Sequence, residues 1–366
     1  MIKKSDGKIG TREFLALILL TIGLKQTDMT ASILFPLGTT ATWIMPLLSG
    51  VIVLLSFLVL LALLKLYQNK NIVDITFIIT GKVFGFIIGV VLFLFMLGTT
   101  VLYVRNHADT MGIMYFPNTP TPVIVFLFLF VSFFIANRGI EAIGRTSWLT
   151  VPYLKIAFII ILVLLIGSLQ WRNIYPIAGP GLSILLIEST KTSYLFGELL
   201  FFSILFPFVR SYENFRLASF IGFGFVVIEL MLFFIVYIMI YDFPAVESIP
   251  FTFHQLTRIV DLGPVLGNIE SFFIGFWAIA SITRLAIYLF VTGALLASSL
   301  RLKEFEPLFL PLAGVVFFLA LLPESNIESL LILGESTYYQ FSWYFILVLP
   351  FILWIVDQVK KGGRYV

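Results

Sequence analysis

The feature that most restricts this chain is a succession of apolar runs, each close to 20 residues long, separated by short polar segments. A helix that crosses the roughly 30 Å hydrocarbon layer of a bilayer needs about 20 mostly apolar residues. The runs read as spans at 12–36, 43–64, 83–104, 122–137, 147–168, 194–209, 217–241, 269–298, 307–323 and 337–357. Of 366 residues, 60% are hydrophobic and 12% are charged, against about 25% charged in soluble domains. A soluble globule has no use for that much apolar surface, whereas lipid does. The expected fold class is therefore an all-α integral membrane protein.

Charge placement gives the sidedness. On one side of the ten spans fall Lys3, Lys4, Lys8, Arg12, Lys65, Lys70, Lys82, Arg138, Arg145, Arg210, Arg216, Arg301, Lys303, Lys360, Lys361 and Arg364. The other side holds only Arg105, Arg172, Lys191 and Arg258. Positive residues favour the cytoplasmic side, so both termini are expected in the cytoplasm, which requires an even number of spans. Met1 to Arg12 reads as a basic tail, without the short apolar core and small-residue cleavage site of a signal peptide.

The spans divide into two halves of five. An odd number of spans inverts the chain, so the halves are expected as a 5+5 inverted repeat with an axis in the membrane plane. Transporters of this design bind substrate near the midplane, where the first helix of each half is broken. Span one is interrupted by Gly23-Leu24-Lys25-Gln26-Thr27-Asp28 and later by Pro36, and span six by Gly197-Glu198 and later Pro207. The expected division is a tail at 1–11, a first repeat at 12–168, an outer linker at 169–193, a second repeat at 194–357 and a tail at 358–366. Phe253, Leu256 and Val260 fall at helical spacing in the segment 242–268, which reads as an amphipathic helix and is either an outer lid or an ordinary interfacial helix.

Ionisable groups inside a bilayer are costly, so each is a functional candidate. They are Lys25 and Asp28 in span one, Lys155 in span five, Glu198 in span six, Glu229 in span seven and Arg284 in span eight. Lys25 and Asp28 are three apart, so they either pair on one helical face or flank unwound backbone that holds an amino-acid-like ligand. Glu198 either accepts a substrate ammonium or a proton, or pairs with Arg284. Lys155 is either a snorkelling lysine or a proton-titrating amine beside span one, in the place of a sodium ion. Gly81, Gly85 and Gly89 recur every four residues and are read as packing surface. Tyr103, Trp277 and Phe341 are candidate cavity-lining aromatics.

With no cysteine and only His107 and His254, the chain offers no disulfide, iron–sulfur or zinc-thiolate site and no histidine cluster. P-loop, zinc-protease and nucleophile-elbow motifs are missing, so neither an enzyme nor a cofactor is expected. The basic residues are spread over loops, which speaks against nucleic acid.

Several stretches, in order, resemble a known family. Phe116-Pro117-Asn118-Thr119-Pro120 is similar to its Leu-Pro-x-Thr-Pro signature, and Arg138-Gly139-Ile140-Glu141-Ala142-Ile143-Gly144-Arg145 to its Arg-Gly-Ile-Glu-x-Ile-x-Arg stretch. Tyr175-Pro176 through Gly181, Phe196-Gly197-Glu198, Phe206-Pro207, Trp277 and Leu300-Arg301-Leu302-Lys303 follow the same pattern, as does Ile22 to Asp28. The family is that of the spore-germination permeases, the B subunits of GerA-type germinant receptors. The resemblance implies the amino acid/polyamine/organocation transporter fold, also described as amino-acid-permease or LeuT-like. It implies a place in the inner membrane of the endospore, in complex with receptor A and C subunits, and a small nutrient ligand, an amino acid in many members. It also implies that Gly23, Tyr103, Glu198, Leu199 and Thr283 line the nutrient pocket. Lys25 and Asp28 depart from the small neutral residues usual there.

Together with the intramembrane charges, the expected ligand-binding set is Gly23, Lys25, Thr27, Asp28, Tyr103, Gly197, Glu198, Leu199, Trp277, Thr283 and Arg284, with Lys155 as the proton-coupling candidate. The expected function is nutrient sensing in germination. The alternatives are a proton-coupled amino-acid transporter and a scaffold that binds no nutrient.

Overall fold

The computed structural model describes residues 7–259, 269–323 and 341–362. Among them the regular structure is helical, apart from one parallel bridge between Ile9 and Val209. Six helices are long and apolar enough to cross a membrane: Thr30–Leu66, Lys82–Met114, Gly139–Ser168, Tyr212–Tyr241, Phe273–Leu300 and Phe341–Lys361. Two shorter apolar helices cover Thr121–Ala136 and Glu306–Ala320. Large apolar side chains stand exposed on the outside of this bundle, among them Phe84, Leu149, Ile228 and Phe318. Water would penalise such a surface, and hydrocarbon solvates it.

The first apolar segment is discontinuous. Helix α1 (Thr11–Thr21) begins where the Glu13 carboxylate accepts the Gly10 N–H at 2.9 Å and ends where the Thr21 hydroxyl donates back to the Leu17 carbonyl at 2.7 Å. Such back-bonding loosens the last turn. A 3₁₀ turn over Gly23–Thr27 follows, Asp28 is extended, and helix α2 (Thr30–Gly38) starts with the Asp28 carboxylate accepting the Thr30 N–H at 2.9 Å. Asp28 thus caps α2 in the manner of an N-terminal cap. A 3₁₀ turn at Thr39–Ile44 then leads into helix α3 (Met45–Leu66).

A short helix, α4 (Ile72–Thr80), lies in the connection between the spans read at 43–64 and 83–104. The Asn71 side chain caps it by accepting the Asp74 N–H at 2.9 Å. Its nine residues are too few to span a bilayer, so a search for spans passes over it. Helices α5 (Lys82–Met114), α6 (Thr121–Ala136) and α7 (Gly139–Leu165) follow. A Cβ at Gly85 or Gly89 would run into Phe77 or Ser299, so these two glycines serve close packing; Gly81, read with them as packing surface, has open space around it and instead takes φ +86 between α4 and the next helix.

After α8 (Leu182–Lys191), the second segment of interest is loosely wound: a 3₁₀ turn at Thr192–Phe196, the single-turn α9 (Glu198–Phe201), and another 3₁₀ stretch at Phe202–Phe208 that contains Pro207. Its end is tied to the start of α1, because the Ile9 N–H donates to the Phe208 carbonyl at 2.9 Å and the Arg210 N–H to the Ile9 carbonyl at 3.0 Å. Helix α10 (Tyr212–Tyr241) leads to α11 (Thr252–Ile259), the helix expected from the spacing of Phe253 and Leu256, both buried here; Val260 lies outside the described residues. Helices α12 (Ile269–Leu300), α13 (Phe309–Ala320) and α14 (Leu349–Gly362) complete the described chain.

Two helices organise the bundle. Helix α12 packs against α5, α6 and α7, and α1 packs against α7 and α10. The approach of α1 depends on missing side chains: a Cβ at Gly222 would meet Ile18 at 2.9 Å, and one at Gly144 would meet Glu13 at 2.8 Å. In this way the 3₁₀ turn that follows α1 is carried into the centre of the bundle, facing the loosely wound segment 192–208.

Candidate ligand-binding site

The Gly23–Thr27 turn is buried throughout, and its polar side chains leave it in different directions. Lys25 reaches the second loose segment. Its ammonium donates to the Tyr194 carbonyl at 3.0 Å, to the Leu195 carbonyl at 2.7 Å and to Glu198 Oε2 at 2.8 Å. The Tyr194 carbonyl also accepts the Gly197 N–H at 3.1 Å, so the ammonium takes its second lone pair. All three ammonium protons therefore have acceptors.

The other Glu198 oxygen, Oε1, accepts the Tyr288 hydroxyl at 2.6 Å. Arg284, one turn earlier on α12, donates to that hydroxyl oxygen through Nε at 3.1 Å and Nη2 at 3.0 Å. Its Nη1 lies 3.5 Å from Asp28 Oδ2, and its Nη2 lies 3.9 Å from Glu198 Oε1. The guanidinium also rests over the Tyr103 ring, 4.3 Å from its centroid. The result is a continuous chain, Lys25–Glu198–Tyr288–Arg284–Asp28, with two cations and two carboxylates. Buried charge survives in a low-dielectric interior when it is balanced and hydrogen-bonded in this way.

A cavity of about 80 Å³ opens beside this chain. Lys25, Asp28, Tyr103, Glu198, Arg284 and Tyr288 form its polar wall. Met29, Ile33, Phe95, Met96, Leu102, Phe201 and Ile346 supply the apolar one. One water needs about 10–15 Å³ on this measure, so the space suits a few waters or a ligand of a few heavy atoms. A lining that combines charged groups of both signs with apolar side chains can hold a small molecule with polar and apolar ends.

A second polar cluster lies where the turn meets α7 and α10. The Lys155 ammonium is 2.5 and 2.7 Å from the two Glu229 oxygens. Gln26 donates to Glu229 Oε1 at 3.4 Å, and the Tyr237 hydroxyl donates to the Gln26 carbonyl at 2.6 Å. Gly23 faces this pair so closely that a Cβ there would sit 2.8 Å from Glu229 Oε2 and 2.9 Å from Lys155 Nζ. Toward α12, the Trp277 indole N–H donates to the Thr27 hydroxyl at 2.9 Å. His107 stacks on Trp277 at 5.0 Å, and His254 of α11 meets it edge-on at 4.5 Å. Burial pushes His254 down to about 3, Arg258 acting in the same direction, so it stays neutral.

Of the residues singled out from sequence, Lys25, Asp28, Tyr103, Gly197, Glu198 and Arg284 line the cavity. Gly23, Thr27, Leu199, Trp277 and Thr283 do not: Gly23 faces Lys155 and Glu229, Thr27 takes the Trp277 bond, and the Thr283 hydroxyl donates to the Ile279 carbonyl of its own helix at 2.8 Å. Leu199 is buried, and Phe341 stands half exposed on the outside. Lys25 and Asp28 do not pair with each other, because an extended Asp28 leaves the helical face; each takes its partner from across the bundle. Lys155 is paired inward with Glu229 and does not extend to an interface. Tyr288, Tyr194 and Gln26 were not anticipated. Tyr288 alone had a signal, lying one turn from Arg284 at a spacing that brings side chains together.

This is the helical fold of a membrane transporter. A manganese transporter of Eremococcus coleocola superposes with a TM-score of 0.61 over 94% of this chain and 75% of its own, at 15% identity. A second variant of the same transporter gives 0.59 with the same coverage. At that identity the likeness is one of fold. Residues 10–329 match the spore germination protein family of permeases, and the chain belongs to it. Among relatives in Bacillus subtilis, spore germination protein YndE is 24% identical over 96% of this chain and 94% of its own. Spore germination protein B2 is 27% identical over half of each chain, and spore germination protein A2 is 23% identical over 98% of each. The chain is thus an integral membrane protein of the spore germination family.

Proposed function

We propose that this protein is the membrane subunit of an endospore germinant receptor, which binds a small nutrient, best matched by an amino acid, in the cavity between the two interrupted helices. In this reading the discontinuous segments 11–38 and 192–208, helix α3, the other five long helices and the two shorter apolar ones make ten crossings. These form two inverted halves of five, with both termini in the cytoplasm and the chain in the inner spore membrane. Receptor A and C subunits are its partners, and no cofactor or enzymatic step is involved.

The observation that carries the reading is the balanced Lys25–Glu198–Tyr288–Arg284–Asp28 chain bordering a cavity at the junction of the two loose segments. A ligand with an ammonium and a carboxylate has counterparts of both signs there. Exchanging those contacts stabilises whichever arrangement of the bundle fits the ligand, and a ligand shifts a conformational equilibrium only by its differential affinity for the two states. The Lys155–Glu229 pair, set against Gly23, favours a second reading: proton-coupled amino-acid transport with Lys155 losing and regaining a proton during the cycle.

Spores lacking the gene, challenged with a panel of amino acids, sugars and nucleosides, separate the two. Loss of response to one nutrient, restored by the intact gene, supports the receptor. Normal germination with reduced amino-acid uptake in growing cells supports the transporter and overturns the receptor.

A further inference from the structure

A second concavity lies away from the central cavity, at the corner where α4, the start of α5 and the end of α12 meet. Phe77, Lys82, Phe86, Ser299, Leu300 and Arg301 line it. Its floor is apolar, and the surface beside it continues as exposed apolar side chains, with Val83 70% and Phe84 65% exposed. Lys82 and Arg301 are both exposed at the rim, and among the described residues neither pairs with a carboxylate.

Arg301 is held in an unusual way. The Leu302 N–H donates to the Ala297 carbonyl at 2.8 Å and the Arg301 N–H to the Ser298 carbonyl at 3.2 Å, a helix ending that places Arg301 in the left-handed region at φ 55. Glycine is the usual residue at such a position, because a Cβ is strained there. In return, the guanidinium lies over the Phe77 ring, 4.2 Å from its centroid, at the mouth of the concavity. Two uncompensated cations at the edge of a lipid-exposed apolar surface are complementary to a phosphate whose attached chains are apolar.

We propose that this corner binds the headgroup of an anionic glycerophospholipid. Lys82 and Arg301 hold the phosphate, and the acyl chains lie along Phe86 and the neighbouring exposed apolar residues. The site is independent of the nutrient cavity and of the readings drawn from it.

The test uses the full-length protein, purified and reconstituted in nanodiscs containing phosphatidylcholine with a minority of phosphatidylglycerol, with retained lipid measured by native mass spectrometry. Phosphatidylglycerol should be retained over phosphatidylcholine, and each cation removed should lower that preference roughly fivefold. Lys82→Gln removes one. Arg301→Gly removes the other while relieving the backbone, so its effect cannot be assigned to misfolding. Lys303→Gln, on the same side but outside the concavity, should leave the preference unchanged. Equal retention of the two lipids, or an unchanged preference in the Lys82→Gln/Arg301→Gly double variant, overturns the proposal. Displacement of bound phosphatidylglycerol by millimolar inorganic phosphate also overturns it, by assigning the corner to a soluble anion.

Discussion

Replacing Lys155 by methionine should destabilise the protein strongly, and replacing Glu229 by leucine in the same chain should restore most of what was lost. The ammonium contacts both carboxylate oxygens, at 2.5 and 2.7 Å, and the two side chains are 13% and 8% exposed. Removing one partner of a buried pair leaves an uncompensated charge, at a typical cost of about 3–5 kcal/mol, whereas replacing both with apolar groups of similar volume is close to neutral. In Lys155→Met, Glu229 would keep only the long Gln26 contact at 3.4 Å, which is too weak to replace an ammonium. We therefore expect a loss of about 3 kcal/mol or more for the single variant and less than about 1 kcal/mol for the double. Equilibrium unfolding of the purified variants in detergent micelles measures both, and the difference is the coupling between the two residues. A single-variant loss below about 1 kcal/mol, or a double variant as unstable as the sum of the singles, would refute the reasoning that this is a compensated buried pair. The double variant also tests function. If it is stable and still supports a full nutrient response, the pair is structural and Lys155 has no part in coupling.

Gly23→Leu should abolish the nutrient response while the protein still accumulates in the membrane, because the new side chain must displace both Glu229 and Lys155; germination dose–response curves alongside immunoblots of spore membranes check this. Lys25→Met should cost about 3 kcal/mol in the same unfolding assay, because it strips the ammonium from Glu198 Oε2 and leaves that carboxylate the Tyr288 hydroxyl and an Arg284 nitrogen 3.9 Å away. Lys25→Arg should not rescue it, since a planar guanidinium cannot replace a compact ammonium held by two carbonyls and a carboxylate. For His254, the folded value of about 3 lies below the ordinary 6.5, so the unfolded chain binds the extra proton between those limits. Stability from keeping it neutral is complete above about 6.5 and falls as pH drops, by up to about 1.4 kcal/mol per unit. Thermal unfolding between pH 7 and pH 5 should show a smaller decline in His254→Gln than in the unaltered protein, and equal declines would remove His254 as the cause.

The charged groups that meet at the site were visible as intramembrane charges, because a charge within an apolar run is costly and stands out against it. Lys25, Asp28, Glu198 and Arg284 were recognised in this way, and all four line the cavity. Their pairing was not legible. Helical spacing suggested Lys25 with Asp28, but that holds only where the backbone is helical, and Gly23–Thr27 is a 3₁₀ turn ending in an extended Asp28. The pairing of Glu229 with Lys155 was equally hidden, because the two are 74 residues apart in sequence.

The helical, membrane-embedded character of this protein follows from the sequence alone, since hydrophobic run length is a local property and a bilayer demands internally hydrogen-bonded segments of that length. Family membership followed as well, because its motifs are short and lie in order along the chain. What tertiary structure decided was which charges neutralise one another, that Tyr288 bridges Arg284 to Glu198, and that Gly23 touches the Lys155–Glu229 pair but not the cavity. Those facts depend on how helices far apart in sequence are rotated and brought together. Packing of the whole bundle sets that geometry, and no window of the sequence contains it.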